Sequence, residues 1–169
     1  RHTMSLPALN YAPSEEAEHL LKQCCTSEAW MAGLLTARPF ASAAELFETA
    51  DNVWGKLTEA DYLQAFAGHP KIGDVNSLQA KYASTKALAA GEQESVAQAS
   101  DDVIAALANG NRDYEQKFGF IFIVCATGKS PSEMLNLLLA RLPNSRAQEL
   151  ANAAEEQRKI FHLRLEKLL

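Results

Sequence analysis

One short pattern recurs along this chain: a Ser or Thr, followed within a few residues by a carboxylate, at the head of an apolar stripe of helical period. Ser42-Ala43-Ala44-Glu45 is a capping-box sequence, in which the hydroxyl accepts from one orphan amide of the first turn and the carboxylate reaches back for another. Behind it Leu46, Phe47, Ala50, Val53, Trp54 and Leu57 share one helical face. Thr58-Glu59-Ala60-Asp61 opens a short helix carrying Tyr62, Leu63 and Phe66, which must end before Gly68-His69-Pro70. Ser130 and Glu133 form a further box, with Pro131 where a first helical residue tolerates it. Ser14, after Pro13, opens a segment with Leu20, Leu21 and Cys24, and Ser27 to Ala37 is a short helix stopped by Pro39. An alanine-rich stretch from about Ser77 to Ala99 is helical but interrupted by Gly91. Asp101 begins another helix, for which Asn109-Gly110-Asn111 marks a stop or short turn. Ser130 to Leu142 and Asn144 to Leu169, parted by Pro143, complete the set. The expectation is an all-α, single-domain bundle of about eight helices.

One segment breaks this rhythm. Phe118-Gly119-Phe120-Ile121-Phe122-Ile123-Val124-Cys125-Ala126 is a continuous apolar run. If it is extended, no second strand candidate pairs with it, so its backbone groups need partners from loops, water or a ligand. A core-filling central element is the plainer reading.

Composition excludes several function classes. Sixteen basic against twenty-one acidic residues give a net charge of −5, the wrong sign for a nucleic-acid footprint. Nothing approaches the ~18 consecutive apolar residues of a membrane span. Three cysteines, Cys24 and Cys25 adjacent, make a poor disulfide framework and suggest a reducing, cytoplasmic compartment. Arg1-His2-Thr3 reads as a tag remnant ahead of Met4, leaving a domain over 4–169.

The chemistry-bearing candidates are few. Gly128-Lys129-Ser130 resembles the end of a phosphate loop, but Ile123 stands where the first glycine belongs, which excludes nucleotide binding there. The cysteines lack zinc spacing and an activating base, and read as core thiols. His69 is different. Pro70 biases it away from helical backbone and the flanking glycines permit close backbone approach, so an imidazole on a rigid loop is suited to shuttling protons. Helix C-capping is the structural alternative. On the last helix Leu150, Ala154, Gln157, Phe161, Leu165 and Leu168 form a stripe, and Arg164 lies close to it. Such an Arg needs an anionic or carbonyl partner, or else reaches past the stripe into solvent. For Glu92, as for Arg164, the plainer reading is structural, here a surface-helix residue.

Taken together, Gly68-His69-Pro70-Lys71-Ile72-Gly73, Gly91-Glu92-Gln93, Asn111-x-x-Tyr114-x-x-Lys117-Phe118-Gly119-Phe120-x-Phe122-Ile123 and Leu163-Arg164-Leu165 resemble the 2-oxo-4-hydroxy-4-carboxy-5-ureidoimidazoline (OHCU) decarboxylase family. The resemblance spans nearly the whole chain in motif order. It implies an all-helical homodimer that forms (S)-allantoin in urate catabolism, with no cofactor, no metal, no nucleic acid and no membrane. It makes His69 the catalytic acid/base, Glu92 its partner and Arg164 the anion-binding residue. Pro70, Ala89, Glu92, Gln93 and the backbone of Phe122, Ile123, Val124, Cys125 and Ala126 become substrate-contacting walls. One departure is visible: Ala89 stands where the family often has serine. The competing expectations are a non-catalytic helical interaction module, in which His69 caps a helix, and a metal-dependent hydrolase, disfavoured because no motif supplies a second ligand.

Overall fold

The computed structural model describes residues 5–70 and 94–169. Among them are eight helices: α1 (Leu6–Tyr11), α2 (Ser14–Lys22), α3 (Glu28–Ala37), α4 (Ala43–Trp54), α5 (Glu59–Ala67), α6 (Glu94–Phe118), α7 (Pro131–Arg141) and α8 (Arg146–Leu168). The described residues contain no strand, and the all-α expectation holds. No helix among them is long and apolar enough to cross a membrane.

The caps form as the local chemistry dictates. Thr58 with Asp61, and Ser130 with Glu133, make reciprocal boxes in which each hydroxyl and each carboxylate accepts one amide. At α4 the Ser42 hydroxyl accepts from the Glu45 amide, but the Glu45 carboxylate takes the Ala41 amide, one residue before the position a box requires. The short α1 lacks a stripe long enough to announce it and rests on the Ser5 cap with a proline in its first turn.

Two expected breaks do not occur. α6 runs without interruption from Glu94 to Phe118, through Asp101 and through Asn109-Gly110-Asn111. Gly110 is a packing residue: a Cβ there would lie 2.5 Å from Leu138 Cδ2, so its absence lets α6 approach α7 closely. The helix ends instead at Gly119, whose φ of +82° suits glycine and whose amide donates to Glu115 O at 2.9 Å.

The chain forms two compact units, one comprising the residues up to His69 with Leu150–Leu169, the other lying within Pro70–Glu149. In the first, α3 packs against α2, α4 and α5. Its core holds Trp30, Leu34, Leu46, Trp54, Phe161 and Leu165. The polar tips there are matched: the Trp30 indole N–H donates to Ala50 O at 3.2 Å, that of Trp54 to Ala154 O at 3.0 Å, and Tyr62 OH to Trp54 O at 2.7 Å.

In the second unit α6 packs on α7, and the apolar run joins them in sequence without helix or strand, with Phe120, Ile123 and Cys125 buried. Cations take the place of a neighbouring strand. Arg141 Nη1 donates to Ile123 O at 2.7 Å and Lys129 Nζ to Cys125 O at 2.7 Å. The Arg141 guanidinium also lies 4.6 Å over the Phe122 ring. Its Nε pairs with the fully buried Glu149 at 2.7 Å and its Nη2 meets Tyr114 OH at 3.2 Å. Tyr114 OH donates to Glu149 Oε1 at 2.5 Å and Asn144 to Oε2 at 2.8 Å. Burial and this carboxylate push the Tyr114 phenol well above its ordinary range.

Candidate active site

His69 sits one residue past the C-cap of α5, and the local sequence explains its fixed position. The amides of Gly68 and His69 close the last turn by donating to Ala65 O and Phe66 O, each at 3.2 Å. Gly68 has an ordinary φ of −74°, so its conformation does not demand glycine. Its space does: a Cβ would fall 2.0 Å from Thr26 Oγ1. That hydroxyl donates to the carbonyls of Gln64 and Ala65 at 3.2 and 3.3 Å, while the Gln64 side chain accepts from the Glu28 amide at 2.9 Å. The end of α5 is thereby tied to the start of α3. The glycine of the His69 motif works through close approach, as its sequence context suggests.

The imidazole is half-buried and reaches α8. His69 Nε2 lies 2.5 Å from Gln157 Oε1. An amide oxygen only accepts, so Nε2 carries the hydrogen and donates it. Gln157 is fully buried, and its Nε2 has no hydrogen-bond partner among the described residues. An orphaned buried donor costs about 1–3 kcal/mol. Capping does not account for this geometry, because the ring nitrogen addresses a side chain of another helix.

Arg164 follows Gln157 by seven residues on α8, roughly 20° from the same azimuth and about 10.5 Å further along the axis. It is exposed, so the guanidinium reaches past the apolar stripe formed by Gln157, Phe161 and Leu165. Its Nη1 is 3.5 Å from both Gln23 O and Cys24 O, just past the end of α2, where carbonyls lack helical partners. These are long contacts, and among the described residues Arg164 pairs with no carboxylate. Cys24 and Cys25 lie nearby, but burial pushes both thiols up to about 12 against the opposing pull of Arg164. Neither is a thiolate nucleophile at neutral pH.

Pro70 is exposed beside His69. Ala89, Glu92 and Gln93 lie outside the described residues, as do Lys71, Ile72 and Gly73 of the His69 motif and residues 77–93 of the expected alanine-rich helix. The pairing of His69 with Glu92 is therefore outside them too. Phe122, Val124 and Ala126 are partly exposed, Ile123 and Cys125 buried. The residue that sequence reasoning passed over is Gln157, counted with its apolar neighbours on the α8 stripe. An amide at a core position was the available signal, since buried polar groups require a partner.

Fold and site together define an all-helical protein with a histidine held on a constrained helix end and a cation further along the helix that the histidine contacts. The family model described as OHCU decarboxylase matches residues 10–166, and the chain belongs to that family. It is 34% identical over 154 residues to the uric acid degradation bifunctional protein TTL of Arabidopsis thaliana, covering 91% of this chain and 48% of that one. It is 31% identical over 140 residues to the 2-oxo-4-hydroxy-4-carboxy-5-ureidoimidazoline decarboxylase of Amia calva, covering 82% and 78% respectively. A crystal structure of OHCU decarboxylase in the presence of (S)-allantoin superposes with a TM-score of 0.69 at 35% identity, covering 93% of this chain and 98% of that one. The chain thus spans about half the length of the plant bifunctional relative, and 32% of that from Bacillus sp. (strain TB-90).

Proposed function

We propose that this chain decarboxylates 2-oxo-4-hydroxy-4-carboxy-5-ureidoimidazoline to (S)-allantoin in urate catabolism, without a cofactor. The observation that carries the reading is His69 itself, an imidazole on a constrained helix end with one ring nitrogen held by a buried amide. Family membership supplies the reaction class.

Decarboxylation breaks a carbon–carbon bond and leaves its electron pair on carbon. Where enzymes recruit a cofactor for this, the cofactor acts as the electron sink. Here the substrate's own imidazoline C=N, beside the carboxylate-bearing carbon, accepts that pair as carbon dioxide departs. One proton must then reach one face of the neighbouring ureido-bearing carbon, while the hydroxyl left on the decarboxylated carbon gives up its own and becomes the carbonyl. His69 moves protons between the substrate hydroxyl and carbon, with Glu92 as its acidic partner. Arg164 binds a substrate anion or urea oxygen through paired N–H donors. Its lack of a carboxylate partner among the described residues supports that role. Pro70, Ala89, Gln93 and the backbone of Phe122–Ala126 contact substrate in this reading. The protein acts as a homodimer in the cytoplasm.

The deciding experiment follows freshly generated substrate by circular dichroism in a coupled assay, after exhaustive dialysis against chelator. Accelerated appearance of a single allantoin enantiomer is expected. Racemic product at the uncatalysed rate, or activity that returns only with added metal or pyridoxal phosphate, overturns the reading. Sedimentation of the same sample tests the dimer.

A further inference from the structure

We infer that Gln157 is the positioning residue that holds His69 as its Nε2–H tautomer and so makes Nδ1 the ring nitrogen that exchanges protons in the reaction. The inference rests on His69 being the proton shuttle of the proposed function.

Three polar or charged residues are buried among the described ones: Ser27, Glu149 and Gln157. Ser27 has a folding task, since its hydroxyl caps α3 by accepting from the Trp30 amide at 3.3 Å. Glu149 is surrounded by Arg141, Tyr114 and Asn144, which together occupy both carboxylate oxygens. Gln157 has no comparable set. Its oxygen meets His69 Nε2 at 2.5 Å, and its amide nitrogen is a buried donor with no partner among the described residues. The flanking stripe residues Ala153, Phe161 and Leu165 are apolar and fully buried, so an aliphatic residue at position 157 would suit the packing. A glutamine there weakens the core and does one visible thing, which is to present an acceptor to the imidazole.

That acceptor is selective. Neutral imidazole carries one hydrogen, and an acceptor at Nε2 places it there, leaving the lone pair on Nδ1. The backbone end of the same residue is already fixed through Gly68 and Thr26. Ring orientation and tautomer are thus set from opposite ends, which is what a proton-transfer group needs if its lone pair is to meet one atom of a substrate.

The test combines Gln157→Met, Gln157→Glu and His69→Asn in the full chain, read by two-bond 1H–15N correlation of the His69 ring, by kcat and KM separately, and by thermal melting. The wild-type ring is expected to show hydrogen on Nε2. Gln157→Met should mix the two tautomers and lower kcat by about tenfold or more, the order found when an imidazole loses its orienting partner. KM should change far less, and the melting temperature should hold or rise. Gln157→Glu keeps an acceptor and should restore the Nε2–H form and part of kcat. A wild-type ring protonated on Nδ1, or a Gln157→Met enzyme with wild-type tautomer and kcat, overturns the inference while leaving His69 catalytic. Normal turnover in His69→Asn removes the proposed function of His69 and the inference with it.

Discussion

Glu149 and Gln157 are both fully buried on α8, yet their surroundings are opposite. Glu149 closes a network in which a phenol, a guanidinium and an amide fill both of its oxygens, and the same guanidinium holds a carbonyl of the apolar run. Gln157 holds one imidazole, and its own amide nitrogen is unmatched among the described residues. A completed buried network specifies structure, because removing any member leaves the others desolvated and unpaired. An incomplete one is a poor stabiliser, so its presence beside a titratable ring points to function.

The widest separation between the two sites is expected from their central groups. His69→Asn should lower kcat about 10²–10⁴-fold, the span of general acid/base catalysis, with little change in the denaturant midpoint. An enzyme that melts early yet turns over normally would return His69 to a capping role. Glu149→Ala should do the reverse in kind. Stranding Arg141 and the Tyr114 hydroxyl should cost about 3–5 kcal/mol in urea unfolding, as for other broken buried pairs. A loss below 1 kcal/mol would mean that water replaces the carboxylate and that the contrast with Gln157 is smaller than the geometry implies.

Gly68→Ala probes the support beneath His69. The new methyl group would meet Thr26, so a stability loss of about 1–3 kcal/mol and displaced His69 ring resonances are expected. Pairing it with Thr26→Ala should recover part of both, and a lack of coupling in that cycle would show that the close approach is not what places the ring.

The smallest effect concerns the thiols beside Arg164. Folding raises Cys24 and Cys25 from an ordinary 9.0 to about 12, so the unfolded chain loses these protons first as pH rises. Their contribution to stability is complete below pH 9.0, declines as pH climbs from there towards 12, and is lost above it. Cys24→Ala should flatten that alkaline decline, and native protein at neutral pH should resist alkylation at both positions. Rapid alkylation would place an exposed thiolate where the core is dry.

The helices were legible because their signals are local. A hydroxyl three residues before a carboxylate closes a cap within one turn, and a stripe of period 3.6 needs only its own residues to be recognised. Ser130 with Glu133, Thr58 with Asp61 and the α4 stripe accordingly appear where the sequence places them. His69 stood out for the same reason, between a glycine and a proline. The local rules failed where a distant partner decides. Gly110 and its asparagine neighbours read as a helix stop, but the space that glycine opens is filled by Leu138, from another helix. The carbonyls of the apolar run had no visible partners, and Arg141 is eighteen residues beyond the one it binds. Gln157 was one more member of a stripe until its oxygen was found against His69, eighty-eight residues away. By itself the sequence determined the helical class and singled out His69 as a candidate for proton chemistry, because helix signals and side-chain acidity are properties of short stretches. Tertiary structure alone decided which glycine makes room, which cation takes the place of a strand and which amide orients the imidazole, because close packing and hydrogen bonding join residues that the chain keeps far apart.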